Sequence, residues 1–192
     1  LAYDEKIPII GLISRLFDSK GFDIIQKAFP DLIKLDVQII LLGTGEQKHH
    51  TFFDKMATKY PKKFASYLGF SDELAHLIEA GSDMFLMPSK YEPCGLNQMY
   101  SLVYGTVPIV RETGGLADTV IKFNDKTEEG NGFVFKKYDA AEMLKEIKRA
   151  VKIFGDNKTW QKIMRAGMKS DFSWDSSAKK YIELYKTLLS SD

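Results

Sequence analysis

Two basic side chains follow the first apolar run of the sequence. Arg15 and Lys20 come after residues 7–13, which are mostly Ile and Leu, and Gly21 follows Lys20 directly. An arginine fork and a lysine ammonium both bind phosphate oxygens, so this loop is a candidate diphosphate site. Taken alone, the loop fits better with two solvated surface cations and a turn glycine, because Lys and Arg are mostly exposed in proteins.

A second candidate loop lies in the middle of the chain, again after a short apolar run. Residues 92–98 read Glu-Pro-Cys-Gly-Leu-Asn-Gln, and the spacing predicts that a helix begins at Gly95. The free N–H groups at that helix start, including those of Leu96 and Asn97, form an anion site. Glu92 beside them can accept hydrogen bonds from sugar hydroxyls. A Pro-Gly turn with a capping carboxylate explains the same residues equally well.

The remaining polar motifs are less specific. Residues 43–45 read Gly-Thr-Gly but lack the third glycine of a dinucleotide fingerprint. Residues 113–115 read Thr-Gly-Gly, which either lets the backbone approach a ligand or forms a tight turn. His49 and His50 are neighbours that cannot share a helix face, and we interpret both as exposed. We identify no metal-binding set of side chains, and we predict neither a metal ion nor a cofactor.

Apolar runs alternate with amphipathic stretches along the whole chain. The predicted strands are residues 7–13, 37–42, 64–70, 83–87, 106–110 and 132–135. The predicted helices are residues 21–35, 47–60, 71–80, 95–104, 140–154, 158–169 and 176–189, with Pro30 expected to interrupt the first. This alternation predicts a Rossmann-like α/β fold, with a parallel sheet of about six strands and helices on both faces. Ligands on such sheets bind beyond the carboxyl ends of the strands, where both candidate loops lie.

The composition narrows the class of protein. A chain of 192 residues, 44% of them hydrophobic, predicts one domain with a full core. With 27 basic and 26 acidic residues, the net charge of +1 argues against nucleic acid or a membrane surface as a partner. A single cysteine excludes an internal disulfide. Cys94 is then either a reactive thiol at a helix start or a packed one.

In this order and on this strand pattern, the loops resemble those of the bacterial and plant glycogen and starch synthases. These are retaining glycosyltransferases of the two-lobed GT-B architecture. The matching strings are residues 14–16, 20–21, 42–46, 80–89, 92–96, 104–106, 113–120 and 172–174. The most specific are Glu-Pro-Cys-Gly-Leu at 92–96 and Thr-Gly-Gly-Leu-Ala-Asp at 113–118. The resemblance covers nearly the whole chain.

The resemblance implies one lobe of a longer enzyme. Residues 1–192 are expected to be a single C-terminal, nucleotide-sugar-binding domain, with a C-terminal helix within 171–192. The N-terminal lobe that holds the glucan acceptor is absent. The implied donor is ADP-glucose, although UDP-glucose is not distinguished, and the implied product is an α-1,4-glucan. The expected location is the cytoplasm, or the plastid if the source is a plant.

The resemblance also assigns a role to each candidate residue. Arg15 and Lys20 would neutralise the donor diphosphate as it leaves, and Glu92 would hold glucose hydroxyls; these three form the expected catalytic set. The family retains anomeric configuration without a clear protein nucleophile, and the leaving phosphate is expected to take the acceptor proton. The remaining implied contacts are backbone groups of Cys94 and Gly95 for the sugar, amides of Leu96 and Asn97 for phosphate, and Phe70 for adenine.

Three other functions compete with this interpretation. The chain could be a non-catalytic nucleotide-sugar-binding module. It could belong to another GT-B enzyme, such as a sucrose-type transferase, but Tyr100 stands where related enzymes carry a second Glu, and this leaves the ribose contact unassigned. It could be a dehydrogenase domain, but the glycine-rich fingerprint is missing from its first turn.

Overall fold

The computed structural model describes residues 1–2 and 4–190 of the chain. Its strands are β1 (Ile9–Ile13), β2 (Gln38–Leu42), β3 (Phe64–Tyr67), β4 (Met84–Met87), β5 (Val107–Arg111) and β6 (Phe133–Phe135). Its helices are α1 (Phe22–Leu32), α2 (Gln47–Lys59), α3 (Asp72–Gly81), α4 (Asn97–Tyr104), α5 (Gly114–Thr119), α6 (Ala140–Phe154), α7 (Asn157–Met168) and α8 (Trp174–Leu189).

The strands form one parallel sheet in the order β3-β2-β1-β4-β5-β6. The chain builds outward from β1 to β3 and then returns to build the other half from β4 to β6. The strand order therefore reverses between β1 and β4, and the loops after these two strands border a crevice. We call residues 14–21 the β1 loop and residues 88–96 the β4 loop. The predicted Rossmann-like fold is confirmed.

The alternation of side chains along β1 shows how both faces of the sheet are covered. Ile10 and Leu12 belong to the same buried cluster as Phe22 of α1. Gly11 points the other way, where an added Cβ would lie 3.1 Å from Ile78 of α3. Because successive residues of a strand face opposite sides, α1 and α3 lie on opposite faces.

The structure settles one open alternative and corrects one prediction. Residues 113–115 were compatible with a close approach to a ligand or with a tight turn, and in the structure α5 occupies Gly114–Thr119. Pro30 was expected to interrupt the first helix, but α1 continues through it to Leu32. Proline removes the N–H that would bond the Gln26 carbonyl and crowds that carbonyl, so the burial of Phe29 and Leu32 in the core must offset this cost.

The C-terminal helix is confirmed as α8, and residues 191–192 of the predicted segment lie outside the described residues. None of its described residues is buried, and its exposed side chains include Trp174, Tyr185 and Leu189. No helix among the described residues is long and apolar enough to cross a bilayer.

Candidate functional site

The β1 and β4 loops enclose a groove of about 200 Å³ at the reversal of strand order. It is lined at its rim by residues that the sequence predicted for the site: Arg15, Lys20, Glu92, Gly95, Leu96 and Asn97. Two cations, one carboxylate and a helix start therefore meet in one place, as predicted.

An ion pair joins the two loops across this groove. Lys20 Nζ lies 2.6 Å from Glu92 Oε2, and the Ser89 hydroxyl donates to the same oxygen at 3.2 Å. Glu92 is only 8% exposed, so its charge depends on these partners. An ammonium has three donor hydrogens, which leaves Lys20 able to contact a further anion.

Close backbone contact fixes the position of the β1 loop against the β4 loop. The Lys90 N–H donates to the Ser19 carbonyl at 2.9 Å. Gly21 has φ of 87°, and an added Cβ would lie 2.3 Å from the Pro88 carbonyl oxygen. Both the backbone conformation and the space therefore require glycine directly after Lys20.

The paired glycines at the start of α5 position Glu92. The Gly115 N–H donates to the Glu92 carbonyl at 3.0 Å. Gly114 has φ of 45°, and an added Cβ would lie 2.0 Å from that same carbonyl oxygen. The sequence left open whether these glycines approach a ligand or form a turn. In the structure they approach the β4 loop.

Arg111, at the end of β5, is a positioning residue that the sequence analysis missed. Its Nε donates to the Ser89 carbonyl at 2.8 Å, and a second guanidinium nitrogen donates to the Lys90 carbonyl. Arg111 thereby holds the part of the β4 loop that leads to Glu92. Its place at the carboxyl end of a predicted strand could have indicated this role, because ligands bind at that edge of a parallel sheet and are surrounded by the loops there.

The start of α4 forms the floor of the groove. The helix begins at Asn97 rather than at the predicted Gly95, because Gly95 has φ of 75°, outside the helical region. The Asn97 side-chain amide donates to the Ile13 carbonyl at 3.2 Å, which ties α4 to the end of β1. Within the described part of the chain, the N–H groups of Gly95, Leu96 and Asn97 have no acceptor. They remain free to bind an anion.

Cys94 lies outside this groove, unlike the other predicted site residues of the β4 loop. Its thiol is exposed, so the packed-thiol alternative is wrong. Its carbonyl already accepts a hydrogen bond from the Gln98 side chain at 3.1 Å, and it also lies against Gly115.

A larger pocket of about 290 Å³ adjoins the groove and shares Arg15 and Asn97 with it. It extends between α3 and the ends of β1 and β2. Phe70 lies at its edge with 84% of its surface exposed, where a flat ligand could stack on the ring. His76 also lines this pocket.

Glu79 is the unexpected member of the larger pocket. It is 2% exposed, and burial raises its pKa to about 7 against the opposing effect of nearby His76. His76 Nδ1 lies 3.3 Å from Glu79 Oε2 as an ion-pair contact, and among the described residues no hydrogen bond to this oxygen is formed. The sequence could have indicated the burial of Glu79, because its spacing from Ala75 and Ile78 places it on the inner face of α3.

A separate cluster beside the β1 loop corrects the interpretation of His49. Its side chain is fully buried, not exposed, and its Nε2 lies 3.1 Å from Asp18 Oδ1. Burial lowers the pKa of His49, which favours the neutral ring. His49, Asp18 and Glu46 could together hold a metal ion, but Lys48 Nζ already contacts both carboxylates and supplies the positive charge.

This fold, a six-stranded parallel sheet with a groove at the reversal of strand order, defines a Rossmann-like α/β domain. The chain belongs to the family described as group 1 glycosyl transferases, whose profile matches residues 1–166. The prediction of a glycosyltransferase domain is confirmed.

Curated relatives point to one branch of that family. The chain is 48% identical to a glycogen synthase from Bacillus cereus (strain B4264) and covers 39% of it with 96% of its own length. It is 50% identical to a glycogen synthase from Pseudothermotoga lettingae, again covering 96% of this chain and 38% of that protein. The chain thus spans about two fifths of the length of these relatives.

A solved structure shows the same fold. The catalytic domain of starch synthase IV from Arabidopsis thaliana, bound to ADP and acarbose, superimposes with a TM-score of 0.87 at 34% identity. The match covers 99% of this chain and 40% of that one.

Proposed function

We propose that this chain is the donor-binding lobe of a glycogen or starch synthase. The whole enzyme would transfer glucose from ADP-glucose to the non-reducing end of an α-1,4-glucan with retention of configuration. The proposal is carried by one observation: the groove and the larger pocket meet at Arg15 and Asn97. Two connected compartments of different chemistry suit a ligand with a nucleoside at one end and a sugar at the other.

Each compartment matches one part of the donor. The larger pocket would take the nucleoside, with Phe70 stacking on the base. Arg15, Lys20 and the free N–H groups before α4 would hold the diphosphate. Glu92 would accept hydrogen bonds from glucose hydroxyls while its pairing with Lys20 holds its side chain in place. The related plant starch synthase is bound to ADP, which supports a nucleotide as part of the ligand.

The chemistry follows from where charge develops. Transfer breaks the bond between the anomeric carbon and the leaving phosphate oxygen, so negative charge grows on the departing diphosphate. Fixed positive groups that face this charge lower the barrier, because they need no reorganisation during the step. Arg15, Lys20 and the start of α4 are those groups. The departing phosphate would then take the proton of the acceptor hydroxyl, and no protein nucleophile is assigned.

The proposal treats residues 1–192 as a single C-terminal lobe. The relatives are about two and a half times as long, which leaves room for a separate acceptor lobe. The exposed apolar side chains of α8 support a further packing partner in the whole enzyme. The glucan acceptor would bind through that other lobe, so this chain alone would bind nucleotide and transfer no glucose. As the sequence predicts, the proposal assigns it no metal ion, cofactor or nucleic acid.

Calorimetric titration of the chain with ADP and UDP in parallel tests the donor assignment. We expect weak binding of ADP and weaker binding of UDP, and stronger binding of UDP would overturn the choice of ADP-glucose. A glucan-elongation assay with ADP-glucose tests the need for a second lobe. Elongation by the purified chain alone would refute it.

A further inference from the structure

Glu79 is a buried side chain, and among the described residues its Oε2 has no hydrogen-bond partner. It lies in the wall of the larger pocket and is 2% exposed, yet its Oε2 makes no hydrogen bond within the described structure. Leaving a buried polar atom unpaired costs free energy, and a charged one costs more. Such an atom beside an open pocket is explained when a ligand supplies the missing donor.

Glu79 lines the pocket, and its backbone is held in place by a hydrogen bond. Its carbonyl accepts a hydrogen bond from the Thr106 hydroxyl, which anchors the end of α3 at the start of β5. The other ionisable groups that line the pocket are Arg15, Asp72, His76 and Tyr100. Of these, His76 lies nearest, 3.3 Å from Glu79 Oε2.

Tyr100 and Tyr104 of α4 limit how far His76 can turn. The His76 ring lies edge-on to both, with centroid separations of 5.6 and 6.3 Å. His76 is thus held beside the carboxyl group of Glu79 without forming a hydrogen bond to it.

We propose that the Glu79 carboxylate accepts a hydrogen bond from the nucleoside part of the bound donor, either from a ribose hydroxyl or from the amino group of the base. This inference rests on the proposed function, because it needs a nucleotide in the larger pocket. Glu79 would thereby act as a specificity residue for the nucleoside. Neither the sequence motifs nor the predicted site included it.

Binding and ionisation of Glu79 are then coupled. Burial raises its pKa to about 7, so part of the free protein carries a protonated Glu79 at neutral pH. A ligand N–H or O–H favours the ionised form. Nucleotide binding near pH 7 should therefore release protons from this group.

The test compares Glu79→Met, Glu79→Gln and the control Glu73→Gln in calorimetric titrations with ADP. Glu73 is an exposed carboxylate on the same helix, outside the pocket. We expect Glu79→Met to weaken ADP binding about tenfold, the scale of a hydrogen bond to a charged group, and Glu73→Gln to leave it unchanged. Titrations in buffers of different ionisation enthalpy should show proton release by the unsubstituted chain that both Glu79 variants lose.

Ligand analogues identify which hydrogen is donated. If a ribose hydroxyl is the donor, 2′-deoxy-ADP or 3′-deoxy-ADP should bind the unsubstituted chain and Glu79→Met equally. If the amino group of the base is the donor, inosine diphosphate should show that equality instead. If Glu79→Met fails to fold, the affinities of these analogues relative to ADP, and the proton release, can still be measured on the unsubstituted chain.

The two proposals fail in different ways. If ADP binds the unsubstituted chain and the Glu79 variants equally, without a difference in proton release, this inference is wrong and the proposed function stands. If ADP does not bind the unsubstituted chain, both are overturned. The titrations with ADP analogues give a second way to contradict this inference. If every analogue binds the unsubstituted chain as tightly as ADP does, and no proton is released, Glu79 accepts no hydrogen bond from the nucleoside.

Discussion

Lys20 and Glu92 form an ion pair of 2.6 Å between the two loops that border the crevice of the sheet. Their side chains are only 18% and 10% exposed, so each charge is largely removed from water and depends on the other. The pair joins the group expected to hold phosphate to the group expected to hold sugar. Removing either partner should therefore disturb both ends of the donor.

Replacing Lys20 tests the role of this cation in the full-length enzyme. We expect Lys20→Ala to lower turnover by at least ~10²-fold, because it removes a fixed charge from the leaving diphosphate. Lys55→Ala, an exposed lysine of α2, is the matched control and should retain activity. Near-normal turnover in Lys20→Ala would show that the diphosphate leaves without its help.

Gly114 should be intolerant of any side chain. Gly114→Ala places a Cβ 2.0 Å from the Glu92 carbonyl oxygen at a backbone φ of 45°, so we expect a loss of about 1–3 kcal/mol in stability. Gly81→Ala is the control, because no atom of the described residues lies within 4 Å of its added Cβ. Urea unfolding measures both variants, and equal midpoints for the two would contradict the packing described for the β4 loop.

Phe70 should matter for nucleotide binding and not for folding. Its ring is 84% exposed, so Phe70→Ala removes little buried surface. We expect ADP affinity to fall about tenfold, the scale of losing one stacked base. Trp174→Ala, which removes another exposed ring far along the chain in α8, should leave that affinity unchanged. The stacking role is wrong if the two variants bind ADP alike.

Glu79 should make stability depend on pH. Its pKa rises on folding from 4.5 to about 7, so its contribution to stability is fully present below pH 4.5 and is lost as the pH rises through 7. The difference is worth up to about 3 kcal/mol, at 1.36 kcal/mol per pKa unit.

Thermal unfolding at pH 5 and pH 8 measures this effect. Between pH 5 and pH 8, the melting temperature of Glu79→Gln should fall less than that of the unsubstituted chain. The melting temperature of Glu73→Gln should fall as much as that of the unsubstituted chain. Identical losses for both variants would place the Glu79 carboxyl in a solvated environment.

The sequence predicted the fold and the groove because both depend on local patterns. Short apolar strands and amphipathic helices are visible in the order of residues, and the carboxyl ends of parallel strands must share one edge of the sheet. The sequence alone therefore predicts that Arg15, Lys20 and Glu92 lie close together at that edge.

Long-range packing explains most of what was missed. Residues 113–115 contain two glycines, and only the contact with the Glu92 carbonyl shows why they begin α5. His49 was separated correctly from the face of His50, but its position against Phe22, which also contacts Phe53, was overlooked. The spacing of His49 and Phe53, four residues apart in α2, would have indicated that both face the core.

Calorimetric titration with ADP and adenosine tests whether the groove binds a diphosphate. The unsubstituted chain should bind ADP at least tenfold more tightly than adenosine, because phosphate adds charge-assisted hydrogen bonds. A chain carrying both Arg15→Ala and Lys20→Ala should lose that preference and still bind adenosine. Equal affinities in the unsubstituted chain, or a preference that survives both substitutions, would contradict the assignment.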